Sequence, residues 1–233
     1  INMQEANASQ WFQLGKVYFL CEEYSKARFA FKRSTAISTE NREIFFWQAK
    51  TYYKLGELSE AVTALEQVLK TDSKNYEAHR MMAEILYEQQ QYERAIKHFE
   101  AALTGLKIEN NDGLIQSLGI CYYKTSNYTG AVEKLSAVIE YFPGAAFYLG
   151  RSLFELGENK KALKHLSAYL NLEETNVVGD PHISEASLYL CRANAREGKF
   201  KQAISLLEKH VQRFGATAET FYHLGCFYAN QDS

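Results

Sequence analysis

Apolar residues recur at helical spacing along most of this chain. In the stretch WFQLGKVYFLCEEYSKARFAF, Trp11, Leu14, Gly15 and Tyr18 fall at i, i+3, i+4 and i+7, one face of a helix. Ala27 and Phe31 lie four apart on a second helix. Small Gly15 and Ala27 let two antiparallel helices approach closely, while Trp11 and Phe31 fill the space beside them. A pair this small cannot bury its apolar face alone, so it needs copies of itself. The second-helix alanine returns at Ala61 and Ala95, two steps of 34 residues. The step then becomes 36 at Ala131, 31 at Ala162 and 41 at Ala203. A last partial copy carries Phe221, Leu224, Gly225 and Tyr228.

The spacing predicts helix pairs over about 8–41, 42–75, 76–109, 112–144, 145–172 and 183–215, with a partial seventh at 218–233, in a single array spanning 1–233. Gly56, Gly157 and Gly198 mark turns between paired helices, where a residue with positive φ ends the first helix. The turn EQQQYERA has no glycine and must close in another way. Ser59 is expected to cap the helix after Gly56, and Pro143 to stop the second helix of the fourth pair. The two extra residues of the 36-step fall in GLKIENNDG. Gly179, Asp180 and Pro181 lie in the one long non-periodic stretch, and an exposed loop is expected over about 173–182.

The spacing of Trp11, Leu14-Gly15, Tyr18, Ala27 and Phe31 resembles the tetratricopeptide repeat, W-x2-L-G-x2-Y…A-x3-F. The resemblance covers about 8–230 as a set of degenerate copies. It implies an all-α, right-handed superhelical solenoid of antiparallel helix pairs, with the first helix of each pair lining a concave groove. It also implies a scaffold that holds an extended peptide or a partner helix in that groove, within a multiprotein assembly. The groove positions would then be Phe12, Lys16 and Phe19; Phe46, Trp47, Lys50, Tyr53 and Lys54; and Arg80, Glu84, Tyr87 and Glu88. Further along they would be Gln116, Ile120, Tyr123 and Lys124; Phe147, Tyr148, Arg151, Phe154 and Glu155; Tyr189, Arg192 and Arg196; then Tyr222 and His223.

Aromatics and arginine are enriched where binding energy concentrates, and this face alternates aromatic with basic residues. The competing reading is that several of these aromatics pack between neighbouring helices. An empty groove with these rings exposed would be an unusually large apolar patch. Its lysines favour a ligand mixing apolar anchors with acidic residues, and Glu84 and Glu88 call for a basic ligand residue at the third pair. Chaperone-binding members of the family clamp a C-terminal carboxylate with lysines and asparagines. The corresponding positions here are Phe12, Lys16, Trp47, Glu77 and Met81, so only Lys16 is positive and that ligand is not expected.

Charge and composition narrow the field. The 233 residues carry a formal net charge of −2, which gives no global attraction to nucleic acid or anionic membrane. RNA binding is further opposed by Glu43, Glu77, Glu84, Glu88 and Glu155 on the same face. No phosphate-binding loop, dinucleotide fingerprint, HExxH or GxSxG is present, so no catalytic residue is expected. Cys21, Cys121, Cys191 and Cys226 form no CxxC pair and read as reduced thiols of a cytoplasmic protein, with no metal and no cofactor. No apolar run reaches membrane-spanning length. The sequons at Asn7 and Asn127 read as chance matches. The opening INMQEANASQ has neither a signal peptide nor an initiator Met, so the chain is expected to be a piece of a longer protein. The unfinished last copy makes self-association through the C-terminal repeat a further expectation. The alternative to a free-standing scaffold is a regulatory or substrate-presenting region of an enzyme whose catalytic domain lies outside these residues.

Overall fold

The computed structural model describes residues 7–105, 111–176 and 182–231. Regular structure in these residues is entirely helical. The chain divides into two compact units, Ile1–Ile108 and Glu109–Ser233. The first holds α1 (Ala8–Leu20), α2 (Tyr24–Ile37), α3 (Glu43–Lys54), α4 (Leu58–Thr71), α5 (Tyr76–Glu88) and α6 (Tyr92–Gly105). The second holds α7 (Asp112–Lys124), α8 (Tyr128–Val138), α9 (Ala146–Glu155), α10 (Asn159–Asn176), α11 (His182–Arg196), α12 (Phe200–Phe214) and α13 (Ala218–Gln231). In each unit odd- and even-numbered helices pack as successive pairs, and each pair leans on the next.

The six period-marking alanines, Ala27, Ala61, Ala95, Ala131, Ala162 and Ala203, are all fully buried. A small residue stands twelve positions before each: Gly15, Ala49, Ala83, Gly119, Gly150 and Cys191. Contact at the crossing is so close that a methyl group on Gly15 would sit 2.5 Å from the Phe31 ring. On Gly150 it would sit 2.8 Å from Leu166 Cγ and 3.1 Å from the Leu166 backbone nitrogen. Phe31, Leu65, Phe99, Leu135, Leu166 and Leu207 fill that place in successive pairs and are at most 1% exposed.

Turns inside the pairs share one geometry. Glu22, Gly56, Gln90, Ser126, Gly157 and Gly198, each five residues before a period alanine, all have φ between 59° and 78°. At the turn EQQQYERA, one of three without glycine at this position, Gln90 N–H donates to Tyr87 O and Gln91 N–H to Leu86 O, the crossed pair of a Schellman motif. That is how EQQQYERA closes without glycine.

Several boundaries differ from the sequence expectation. Ser59 does not cap α4; the N-cap is Glu57, without a side-chain bond, and Ser59 lies inside the first turn. Pro143 does not stop α8, which has ended by Val138; it opens a short 3-10 turn leading into α9, where its missing N–H costs nothing. The loop expected over 173–182 is shorter, because α10 continues through Asn176 and α11 begins at His182. Residues 177–181, with Gly179, Asp180 and Pro181, lie outside the described residues, as do 106–110 of the first irregular junction. The sequon asparagines are helix caps: Asn7 Oδ1 accepts from Gln10 N–H, and Asn127 Oδ1 from Gly130 N–H.

Candidate functional site

In the first unit the odd-numbered helices α1, α3 and α5 present one face. Its centre is a cleft of about 280 Å³ lined by Phe19, Phe46, Lys50, Tyr53, Lys54, Glu77, Arg80, Met81 and Glu84. The helical period explains why these side chains meet. Phe46, Lys50 and Tyr53 stand at i, i+4 and i+7 on α3, and Glu77, Arg80 and Glu84 at i, i+3 and i+7 on α5.

Charge and rings are interleaved here. Lys50 Nζ sits 4.6 Å from the Phe46 ring centre and 5.0 Å from that of Trp47. Lys16 Nζ is 5.2 Å from both Phe12 and Trp47, and 3.5 Å from the Glu43 carboxylate. That carboxylate also accepts from Trp47 Nε1 at 2.9 Å. Phe19 meets Trp47 edge-on at 5.4 Å. Arg80 bonds Glu77 at 3.1 Å and lies 3.9 Å from Glu84. Burial pushes the Glu84 carboxyl upward, against the pull of Arg80. Tyr53 donates to Glu88 at 2.6 Å; that bond first, then burial, pushes the phenol up to about 12. Among the described residues Lys50 and Lys54 have no carboxylate partner.

The expected groove face is therefore only partly a surface. Phe12 is not on it: the residue is 2% exposed and packs 6.0 Å from Phe31, sealing α1 against α2 and α3. Tyr87 is half-buried, edge-on to Tyr92 and Phe99. Of the two carboxylates expected to call for a basic ligand residue, Glu84 lies 3.9 Å from Arg80, which also bonds Glu77, and Glu88 accepts from the neutral Tyr53 hydroxyl.

The odd-numbered helices of the second unit gather the later candidates into a denser array. The Arg151 guanidinium carbon lies 3.7 Å from the Tyr189 ring centre and 5.4 Å from that of Tyr123, and the group pairs with Glu185. Arg192 lies 4.7 Å from Tyr189 and 5.3 Å from Phe154. Arg196 lies 3.7 Å from Phe154 and donates to its carbonyl at 2.9 Å. Tyr148 meets Tyr123 at 5.2 Å, and its hydroxyl lies 3.2 Å from His182 Nε2. Burial, opposed by Arg151, pushes the Tyr123 phenol up to about 12. Lys124 is exposed beside it, 5.8 Å from the ring. Ile120, Phe147 and Phe154, expected in the groove, are buried instead.

Sequence reasoning missed His182 and Glu185. They answer Tyr148 and Arg151 at a distance of 34 residues, one repeat, which is the signal that would have found them. Among the described residues no group of three His, Cys, Asp or Glu could hold a metal ion. Burial pushes the Cys121 and Cys191 thiols up to about 12, so neither is a reactive thiolate. No helix among the described residues is long and apolar enough to cross a membrane.

Paired antiparallel helices, closely packed at a small-residue crossing and repeated about every 34 residues, define a helical-repeat protein. A profile of the cytochrome c-type biogenesis protein H TPR domain matches residues 1–114, and a tetratricopeptide repeat profile matches residues 118–177. The chain belongs to the tetratricopeptide repeat family. Among curated proteins none matches it in sequence.

Solved structures share the fold. YrrB, described as a TPR protein with an unusual peptide-binding site, has a TM-score of 0.66 at 21% identity, over 83% of this chain and 96% of its own. The type IV pilus biogenesis factor PilW has a TM-score of 0.54 at 17% identity, over 95% and 99%. A chain in the structure of Naa15/Naa10 bound to HypK has a TM-score of 0.58 at 19% identity, over 97% of this chain and 34% of its own.

Proposed function

We propose that this chain is a non-catalytic protein-interaction scaffold that holds an extended peptide or a helix of a partner against the shared face of α1, α3 and α5. One observation carries the reading. The 280 Å³ cleft joins the apolar surfaces of Phe19, Phe46, Tyr53 and Met81 to Lys50 and Lys54, two lysines without a carboxylate partner among the described residues. A ligand segment mixing a bulky apolar anchor with acidic residues complements both features. Peptide binding in the structurally similar YrrB supports the reading, as does the assembly in which Naa15/Naa10 and HypK occur.

In the second unit Arg151 and Arg192 are engaged with Tyr189, Phe154 and Glu185, so their role in this proposal is to stiffen the face that carries Tyr123, Lys124 and Tyr148. A cytoplasmic location belongs to the proposal too, and rests on four unpaired cysteines, one of them exposed.

The test is a peptide array screened against the chain. Half of its members carry Phe, Leu or Trp beside Asp and Glu, and half carry the same anchors beside Lys and Arg. Binding is expected in the acidic half and should weaken as salt is raised. Equal capture of both halves would remove the basis of the proposal.

A further inference from the structure

Helix α13 repeats the spacing of Trp11, Leu14, Gly15 and Tyr18 as Phe221, Leu224, Gly225 and Tyr228. One side of it is settled: Thr220 and Phe227 are buried, and Phe227 packs with Cys191, Ala203, Ile204 and Leu207 of α11 and α12. The side that carries the motif is bare. Phe221 is 64% exposed and Tyr228 48%. At the same two places in the six pairs, from Trp11 and Tyr18 to Ser187 and Asn194, no residue is exposed. A methyl group would sit 2.5 Å from the second helix at Gly15, 2.7 Å at Gly119 and 2.8 Å at Gly150, and would meet nothing within 4 Å at Gly225. The face that receives a second helix in every other pair is therefore uncovered by any described residue on α13, and a contiguous exposed apolar stripe of this kind marks an interface.

The order of the stripe says what fits it. Counted from the midpoint between Leu224 and Gly225, Phe221 stands 3.5 residues before and Tyr228 3.5 residues after. That separation is almost one helical turn, so both rings point within about 10° of one line. A second α13 laid antiparallel across a two-fold axis at that midpoint brings Phe221 of each copy level with Tyr228 of the other. Two aromatic pairs then flank Leu224 and Gly225 at the crossing. The stripe holds no charged side chain, so no like charges are opposed; Glu219, the one carboxylate among the described residues of α13, lies 3.6 Å from His223. Tyr228 is already held, its hydroxyl donating to Glu208 on α12 at 2.9 Å.

We propose that α13 is a self-association surface, and that α13 of a second copy of this chain stands where the second helix stands in the other pairs. A helix of 14 residues is about 21 Å long, so the two-fold contact buries less than about 1,200 Å² in total, the range of weak and transient association.

Sedimentation velocity of the chain from about 1 µM to about 500 µM is the first test. Monomer is expected at the dilute end and dimer at the other, with a dissociation constant on the order of 10–100 µM. Phe221→Glu, at an exposed position, should weaken the dimer at least about tenfold with the circular dichroism unchanged, because it places an unpaired carboxylate in the apolar contact. The second test reads the register, in a chain carrying Cys21→Ser and Cys226→Ser. On mild oxidation a mixture of its Phe221→Cys and Tyr228→Cys forms should cross-link one to the other. Phe221→Cys alone should not, because its two thiols would be about 10 Å apart along the helices, beyond disulfide reach. A monomer at every concentration, a dimer indifferent to Phe221→Glu, or cross-linking of Phe221→Cys chiefly to itself would overturn the proposal. So would a chain that stays monomeric and instead binds a synthetic helix with the spacing of Ala27 and Phe31, which would assign the face to another protein.

Discussion

Glu22, Gln90 and Ser126 occupy left-handed backbone that three glycines occupy at the equivalent turns. The helix pairing imposes that conformation whatever residue stands there, so the period located these turns and the residue type did not. A side chain in this region costs about 1–2 kcal/mol, and part of it is recovered by glycine despite glycine's greater chain entropy. Gln90→Gly is therefore expected to raise stability by about 1 kcal/mol, read as a higher urea midpoint. A lower midpoint would mean that the Gln90 side chain has a role its exposed position does not indicate.

His98 offers a second test at this scale. Its Nδ1 lies 2.8 Å from that of His79, and burial first, then His79, lowers its pKa to about 4 from 6.5. Between those values the unfolded chain binds the proton and the folded chain does not, so stability is full above pH 6.5 and falls as pH drops toward 4. His98→Gln should flatten that slope. An unchanged slope between pH 6.5 and 4 would assign the acid sensitivity to other groups.

Elements were the most legible level. The period alanines follow one another at steps of 34, 34, 36, 31 and 41, and each is fully buried in a described helix, because close approach at the crossing demands a small residue. What could not be read were element ends, which depend on local bonds rather than on period; Ser59 and Pro143 both look like boundaries and stand beside them. Two mid-helix glycines test the crossing. Gly150 faces Leu166, while a methyl group on Gly225 would meet nothing within 4 Å. Gly225→Ala should stabilise by about 0.5–1 kcal/mol through helix propensity, and Gly150→Ala should destabilise despite the same gain. Thermal melts of both variants check the opposite signs. Larger changes follow the same logic: Ala61→Leu should cost about 1–3 kcal/mol by overpacking, and Phe99→Ala about 3–5 kcal/mol by leaving a cavity. Unchanged urea midpoints in these two would show that neither residue packs at the α3–α4 or α5–α6 crossing.

At the scale of the whole molecule, the alternation of aromatic and basic residues was legible and its use was not. The sequence puts Phe12, Phe147, Phe154 and Arg151 on the same stripe as Phe46 and Lys50, because they share one helical face. Packing then divides them. Phe12, Phe147 and Phe154 are buried, and Arg151 is held between Tyr123, Tyr189 and Glu185. These partners lie on neighbouring repeats; the stripe contained Tyr123 and Tyr189 but not that they would enclose Arg151, and it did not contain Glu185, 34 residues away. Phe46, Lys50 and Tyr53 keep access to a cleft, and the binding proposal rests on them.

Calorimetry of an acidic, apolar-anchored peptide selected from the array, against the chain and its Phe46→Ala and Tyr53→Ala variants, tests that proposal most directly. Each truncation should cost about 2 kcal/mol or more of binding, with circular dichroism unchanged, while Lys50→Ala should mainly slow association and reduce the salt dependence. Parent-like affinity in both aromatic variants would contradict the account and move the binding face away from α1, α3 and α5.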